Sequence, residues 1–343
     1  MAVKPRGFWQ PDFWLAAWYE GRWWLRLLTP LSGLFSALAA RRRRRQTAAA
    51  EAIAAPVIVV GNITLGGTGK TPLLIALVKH LQTRGYTPGV ISRGYGGHAP
   101  HYPYRLTTDS KPESVGDEPL LIFQATACPV VVGPDRAAAA KQLLAQSDCD
   151  VILSDDGLQH YRLARALEIA VIDGQRGLGN GCCLPAGPLR EPPSRLQEVD
   201  LVVVNGDETQ SHPALLGVAR HSMTLAPSGW YSVQDNKHLP VAQLPCDNGV
   251  AAVAGIGNPQ RFFNTLAALG VKAQTRAFAD HHHYCPEDFA FAGQGALLMT
   301  AKDAVKCQAF ARPNWWYLGV DAQLPGPFWQ ALETRLDGLR KIP

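Results

Sequence analysis

From residue 57 onward the chain alternates short β-rich runs with stretches of helical periodicity. The runs are 57–60, 87–92, 130–132, 151–154, 169–172 and 201–204, and helices are expected over 72–83, 117–126 and 135–146. Runs that stay apolar at successive positions, instead of alternating, describe strands covered on both faces, hence a mostly parallel sheet under helices. Such sheets present ligands at the carboxyl ends of their strands. The polar residues of interest follow strands: a glycine loop after 60, the run 93–97 after 92, and Asp155-Asp156 after 154. A Pro/Gly-rich segment at 185–193 reads as an ordered loop over the site. After about residue 206 the texture changes. A hairpin-like stretch (220–233) leads to a smaller α/β unit with strands near 250–254 and 296–299, and no internal repeat or long disordered tract is visible.

The loop after the first run reads Gly61-Asn-Ile-Thr64-Leu-Gly66-Gly67-Thr68-Gly69-Lys70-Thr71-Pro72. Strand, glycine loop, lysine, hydroxyl and helix in that order form a nucleotide triphosphate cradle. Backbone N–H groups curl around phosphate oxygens, and the helix N-terminus adds partial positive charge. Lys70 reaches the β- and γ-phosphates and the Thr71 hydroxyl ligates Mg²⁺. Thr64 stands where the consensus spacing asks for glycine, so the motif is a variant with its glycines at 66 and 67. The expected fold is α/β: a P-loop NTPase-like, mostly parallel sheet with helices on both faces, plus a smaller C-terminal α/β lobe and an N-terminal membrane-associated helix. The expected boundaries are 1–45, 46–215 and 216–343.

Charge sharpens the view of the first segment. Residues 1–45 hold nine basic residues against Asp12 and Glu20, a local +7 within a net charge of +5, which leaves about −2 on the other 298. A chain that is basic in one arm only is not a nucleic-acid binder by charge. Trp9, Trp14, Trp18, Trp23 and Trp24 crowd the first 24 residues, and such rings favour the headgroup level of a bilayer. Thr29-Pro30 is then a helix N-cap and first-turn pair. Leu31, Leu34, Phe35 and Leu38 recur at helical spacing, with Arg41 to Arg45 behind them. The uncharged stretch 27–40 is too short to span a bilayer, and arginines after the apolar part do not make a signal peptide. The pattern fits an interfacial anchor on an anionic cytoplasmic leaflet. The alternative is a helix packed on the protein's own core with a solvated arginine run. Seven scattered cysteines without a CxxC pair fit a reducing compartment and no disulfide scaffold or zinc site.

The carboxylates Asp155 and Asp156 end an apolar strand, as a Mg²⁺-nucleotide site requires, and adjacent strand residues face opposite ways. One can serve the metal while the other orients Lys70, Thr71 or the acceptor; a helix N-cap is the plainer role. Asp117 and Glu118 open an expected helix, where acidic residues are ordinary. Asp280-His281-His282-His283 is a denser signal. Neighbouring histidines on a turn do not readily share one ion, so an acid/base or orienting role is favoured. Arg93, Arg136 and Arg190, in glycine/proline loops, are candidate phosphate clamps.

The stretches GNITLGGTGKTP, SRGYGG, GDEP, GPDR, SDDGLQH, DGQRGLGNGCCLPAGPLREPPSRL, AGIGNPQRF, FADHHHY and TAKDAVK resemble, in order, the tetraacyldisaccharide 4′-kinase family over residues 25 to about 310. The resemblance implies a two-lobed P-loop kinase using ATP and Mg²⁺, its C-terminal lobe closing over the active site at the cytoplasmic face of the bacterial inner membrane. The acceptor it implies is the 4′-hydroxyl of the acylated glucosamine disaccharide 1-phosphate that precedes lipid A, and no obligate protein partner is evident. Asp117 and His281 are implied as the base pair, with His282 as understudy. From the loop and the strand-end carboxylates themselves, Thr64, Gly66, Gly67, Thr68, Gly69, Lys70 and Thr71 are expected for ATP, and Thr71, Asp155 and Asp156 for the metal. Arg93, Tyr95, Glu118, Arg136, Asn180 and Arg190 are expected for substrate or phosphate. The chain departs from the family at Ala301, where glutamate is usual, and at the additional His283. A membrane-recruited P-loop ATPase, acting as switch or transport energiser, is the alternative; it needs neither the histidine cluster nor the GNG…LPAGPLREP loop at 179–192. A GTPase is disfavoured because Asn205-Gly-Asp is not a guanine-reading NKxD motif, and a pure scaffold would leave Lys70 dispensable.

Overall fold

The computed structural model describes residues 11–209, 212–245 and 249–340, so Trp9 of the aromatic arm lies outside the described residues. In chain order the helices are α1 (Pro11–Glu20), α2 (Thr29–Ala48), α3 (Lys70–Thr83), α4 (Pro112–Val115), α5 (Asp117–Thr126), α6 (Arg136–Ala145), α7 (Pro259–Ala268), α8 (Ala301–Cys307) and α9 (Gly326–Arg340). The strands are β1 (Val57–Gly61), β2 (Pro88–Ser92), β3 (Tyr104–Arg105), β4 (Val130–Val132), β5 (Val151–Asp155), β6 (Leu167–Asp173), β7 (Leu201–Asn205), β8 (Arg220–Ser232), β9 (His238–Leu239), β10 (Val250–Ala254), β11 (Ala273–Ala277), β12 (Leu297–Thr300) and β13 (Trp315–Gln323). The expected apolar runs are strands and the expected helices are helices, within one or two residues at most ends.

Contacts group the chain into two compact units. The first takes residues 1–70, 154–224 and 324–343. In it β1 pairs with β6, β6 with β7, and β7 with the first part of β8, all parallel. Every residue of β1 and β7 is buried, as a strand covered on both faces requires. Phe328 and Leu332 of α9 are fully buried.

The N-terminal segment of this unit departs from expectation in three ways. Thr29 is the first residue of α2 and not its cap; Leu28 holds the cap position without a side-chain bond. The described tryptophans do not share one environment. Trp18 is buried with Ala17 and Leu25, against Leu65 and Leu184, and its indole N–H donates to Pro185 O at 3.0 Å. Trp14 and Trp24 pack edge-on at 5.5 Å, whereas Trp23 is 74% exposed. Within the arginine block Arg43 reaches Glu198 and lies 5.2 Å over the Tyr161 ring. Trp14, Leu15, Trp18, Leu65, Leu184 and Pro185 line an apolar groove of about 440 Å³ beside Gly66. α2 docks through the buried Ser32, whose hydroxyl donates to Cys183 O at 2.7 Å and accepts from Ala186 N at 3.0 Å. Of the expected stripe, Leu31, Leu34 and Leu38 are 53–58% exposed and Phe35 is half-buried, so its leucines are not packed on the protein's own core. Among the described residues no helix is long and apolar enough to cross a membrane.

The second unit takes residues 71–153 and 225–323. Its strands run in the order β5-β2-β4-β3, and β11-β10-β12-β13-β8 with β9 added to β8. Here side chains alternate between two covered faces with the period of two that a strand imposes. Ala251, Val253, Leu297, Met299 and Trp315 pack with Phe289 on one face. Ala252, Ala254, Leu298, Trp316 and Leu318 pack with Trp230 and Phe262 on the other. Each large side chain buried this way contributes about 1.5–3 kcal/mol. The expected hairpin at 220–233 is a correction: these residues form one long strand, and only its end folds back, with Trp230 opposite Leu239 and Tyr231 opposite His238. Pro227-Ser-Gly229 looks like a turn, but Gly229 has φ 159°, which is extended backbone.

Candidate active site

The glycine loop leaves β1 at Gly61 and enters α3 at Lys70. Gly66 and Gly69 have φ +96° and +92°, values that a side chain disfavours. Asn62, fully buried, organises the curl: its amide donates to Gly66 O at 3.3 Å, and its carbonyl accepts from Lys70 Nζ at 3.2 Å. Asn205, at the end of β7, donates to Thr68 O at 3.0 Å. Thr64 is buried and bridges Leu189 in antiparallel fashion, flanked by bonds from Leu65 N to Pro188 O and from Arg190 N to Ile63 O. The position where glycine was due thus belongs to a strand-like pairing with the 188–190 loop, and needs no positive φ. Gly67 is exposed. The Thr68 hydroxyl is buried and has no hydrogen-bond partner among the described residues. An orphaned hydroxyl, positive-φ glycines, a held lysine and a helix start fit a phosphate chain.

Gly69→Ala is expected to disable this loop. The added Cβ stands 2.3 Å from Asn205 Nδ2 at a φ of +92°, a strain of about 1–3 kcal/mol. The melting temperature should fall and the stabilisation by added ATP should vanish. A variant that melts like the parent, with and without ATP, refutes the assignment.

Asp155 ends β5 and is buried. Asp156 follows with φ +47° and begins no helix, so the N-cap role does not apply. Its carboxylate stands 3.4 Å from Lys70 Nζ and 3.1 Å from Arg190 Nη1. Burial favours the neutral acid, but Lys70 and Arg190 outweigh it and hold this carboxyl at about 2. Asp156 is therefore held between two cations, and Asp155 offers a buried carboxylate beside it. Among the described residues no three His, Cys, Asp or Glu side chains could hold an ion by themselves. Arg190 also donates to Gln159 Oε1 at 3.3 Å, and Gln159 donates to Glu191 at 2.7 Å, which braces the loop. Asn180 braces it too, donating to Ala186 O at 2.7 Å and accepting from Cys182 N at 3.2 Å. Arg176 was not expected; its Nη1 lies 3.1 Å from where a Cβ on Gly66 would sit.

A second cluster lies wholly within the other unit. Asp117 is the first residue of α5, and His281, with φ +60°, sits on the turn after β11. His281 Nδ1 stands 3.1 Å from Asp117 Oδ2. Burial would protonate Asp117, but its bond to His281 and the charge of Lys302 outweigh that and hold it below the usual carboxylate range. Lys302 donates to Glu118 Oε1 at 2.9 Å and to Asp280 Oδ1 at 3.1 Å. Asp303, fully buried, fastens the histidine turn: it accepts from Tyr284 OH at 3.1 Å, from Gly255 N at 3.1 Å and from Thr300 Oγ1 at 2.7 Å, and pairs with Lys306 at 2.9 Å. The exposed Tyr95 ring lies 4.8 Å from the His281 ring.

The three histidines are separated by their partners. His282 Nε2 is 2.9 Å from Asp288 Oδ2 and its ring is 4.6 Å from Phe278, while His283 is exposed. Arg93 is exposed after β2, whereas Arg136 is buried at the start of α6 and donates to Gly133 O at 2.6 Å. Sequence reasoning did not single out Lys302, Asn205, Asn62 or Arg176. Lys302 lay inside the quoted TAKD stretch, but nothing local marks its partners.

A model of the family described as tetraacyldisaccharide-1-P 4'-kinase matches residues 24–337. A tetraacyldisaccharide 4'-kinase of Nitrosococcus oceani is 50% identical over 323 residues, covering 92% of this chain and 91% of that protein. One of Pseudomonas putida is 46% identical over 335 residues, covering 96% and 98%. A crystal structure of the Aquifex aeolicus LpxK in complex with ATP superposes with a TM-score of 0.75 at 25% identity, covering 91% of this chain and 99% of that one.

Proposed function

This chain belongs to the tetraacyldisaccharide-1-P 4'-kinase family, and from that premise we propose which of its residues carry the reaction and where. The protein is a kinase that transfers the γ-phosphoryl group of ATP to the 4′-hydroxyl of the tetraacyl glucosamine disaccharide 1-phosphate precursor of lipid A. The observation that carries the residue assignment is the buried Asp117 carboxylate held ionised by His281 at 3.1 Å.

Backbone amides of 66–71 and the Lys70 ammonium hold the triphosphate. Thr71 and Asp155 would hold Mg²⁺, which would supply neutralising charge to the phosphate oxygens. Asp156 keeps Lys70 and Arg190 in place. Asp117, oriented by His281, accepts the proton of the acceptor hydroxyl as the new O–P bond forms and the bond to the departing ADP oxygen breaks. Positioning and charge stabilisation do most of the work in such a transfer. In this reading residues 1–45 face the membrane, 46–215 serve the nucleotide and 216–343 form the smaller lobe. The test is ATP-dependent phosphate transfer to the disaccharide 1-phosphate in detergent micelles. Robust ATP hydrolysis without phosphorylated lipid would overturn the assignment.

The exposed leucines of α2, with Trp23 and the solvated arginines behind them, support peripheral attachment to the anionic cytoplasmic leaflet of the inner membrane. The groove beside Gly66 has room for part of an acyl chain. Replacing Leu31, Leu34 and Leu38 together by serine should lower binding to anionic vesicles by at least roughly tenfold, since each leucine inserted contributes on the order of 1 kcal/mol or more. Turnover on detergent-solubilised substrate should persist. Unchanged vesicle binding refutes the anchor.

A further inference from the structure

Lys302 carries three N–H donors and no acceptor. Three acceptors surround its ammonium: Glu118 Oε1 at 2.9 Å, Asp280 Oδ1 at 3.1 Å and His281 Nε2 at 3.4 Å. Two carboxylates use two of the donors, and the third is left for the imidazole at 3.4 Å, because Asp117 Oδ2, at 3.9 Å, lies beyond hydrogen-bond reach. A nitrogen facing an ammonium N–H has to offer a lone pair, because two donors head-on repel. No carboxylate competes for His281 Nε2, as the nearest, Asp280 Oδ1, is 3.9 Å away and already accepts from His281 N and Lys302. The ring proton therefore sits on Nδ1, where it donates to Asp117 Oδ2 at 3.1 Å.

We propose that Lys302 is a positioning residue that sets the tautomer of His281, holding Nε2 as an acceptor so that Nδ1–H is aimed at Asp117. The inference rests on the reading of Asp117 as the base, but its geometry is separate from it. Asp117 must stay an acceptor to take the hydroxyl proton, and the opposite tautomer would turn a lone pair toward it. The charged groups facing His281 are Asp117, Asp280 and Lys302, with Glu118 behind Lys302 and the Tyr95 ring against the imidazole at 4.8 Å. α5 supplies Asp117 and Glu118, and α8 supplies Lys302, so two helices converge on one turn residue. Tyr284 and Asp303 anchor the far side of that turn. This explains why His281 tolerates a φ of +60°: contacts on several sides over-determine its place.

The direct test uses the unmodified enzyme at neutral pH with ¹⁵N-labelled histidine. Two-bond ¹⁵N–¹H spectra distinguish protonated from unprotonated ring nitrogens, and the His281 signals are assigned by their loss in His281→Asn. The expected pattern for His281 is a protonated Nδ1 and an unprotonated Nε2. A protonated Nε2 in the parent enzyme overturns the proposal without any Lys302 variant. In Lys302→Met, Nε2 should become protonated, and kcat should fall about tenfold or more with the KM for ATP unchanged. A Lys302→Met enzyme that melts like the parent and keeps the parental tautomer also overturns it. The base reading stands or falls separately, on the kinetics of Asp117 variants.

Discussion

Lys70→Ala should lower kcat by roughly 10²- to 10³-fold, the scale for deleting a preorganised donor aimed at developing charge. The ammonium is held before substrate arrives, by Asn62 Oδ1 at 3.2 Å and Asp156 Oδ1 at 3.4 Å, with only 12% of the side chain exposed. Little reorganisation is then needed as the phosphoryl group moves. The variant should still fold, because Asp156 keeps Arg190 at 3.1 Å and is not left as an uncompensated buried charge. Product formation at saturating ATP, set beside a melting curve, checks both statements. Lys70→Arg should not restore the rate, since a planar fork cannot stand in for a point charge in a curl built by Asn62. A Lys70→Ala enzyme within a few-fold of the parent would remove the glycine loop from the mechanism.

Asp117→Ala should lower kcat by about 10²- to 10⁴-fold, the usual range for a general base, while the KM for ATP changes by less than about twofold. The split matters because Lys302 and His281 remain in the variant; Lys302 keeps Glu118 at 2.9 Å and Asp280 at 3.1 Å. Loss of the nearby lysine's whole setting would instead unfold the turn and show in the melting temperature. The sign of the pH effect follows from the depressed carboxyl. Its contribution to stability is fully present above the ordinary carboxylate range and is lost as pH falls through its lower folded value. The parent should therefore lose stability at the acid end, and Asp117→Ala should show less of that loss. A kcat near the parent's would defeat the base assignment.

Much of the fold could be read along the chain. Wholly apolar runs became strands buried on both faces, and Gly66, Gly69, Lys70 and Thr71 stand at a strand-to-helix junction as expected. These are local facts: period, glycine conformation and helix start are decided within a few residues. The expected hairpin is one strand because the turn tendency of Pro227-Ser-Gly229 is local, and pairing of β8 with β7 and β13 overrides it. The crowded tryptophans suit the headgroup level of a bilayer by composition, but composition does not reveal which rings find a protein partner; Trp18 finds Pro185 O, 167 residues away.

Sequence alone determined the glycine loop that runs from strand to helix, the carboxylates at the strand end and the histidine turn, because they are written in consecutive residues. Tertiary structure alone decided that Asn205 props Thr68 from 137 residues away and that Lys302 meets Glu118 across 184. It also decided that, of three adjacent histidines, His281 takes Asp117 while His282 takes Asp288. The physical reason is that such pairings depend on where separate strands and helices end in space, and no short-range pattern encodes that distance.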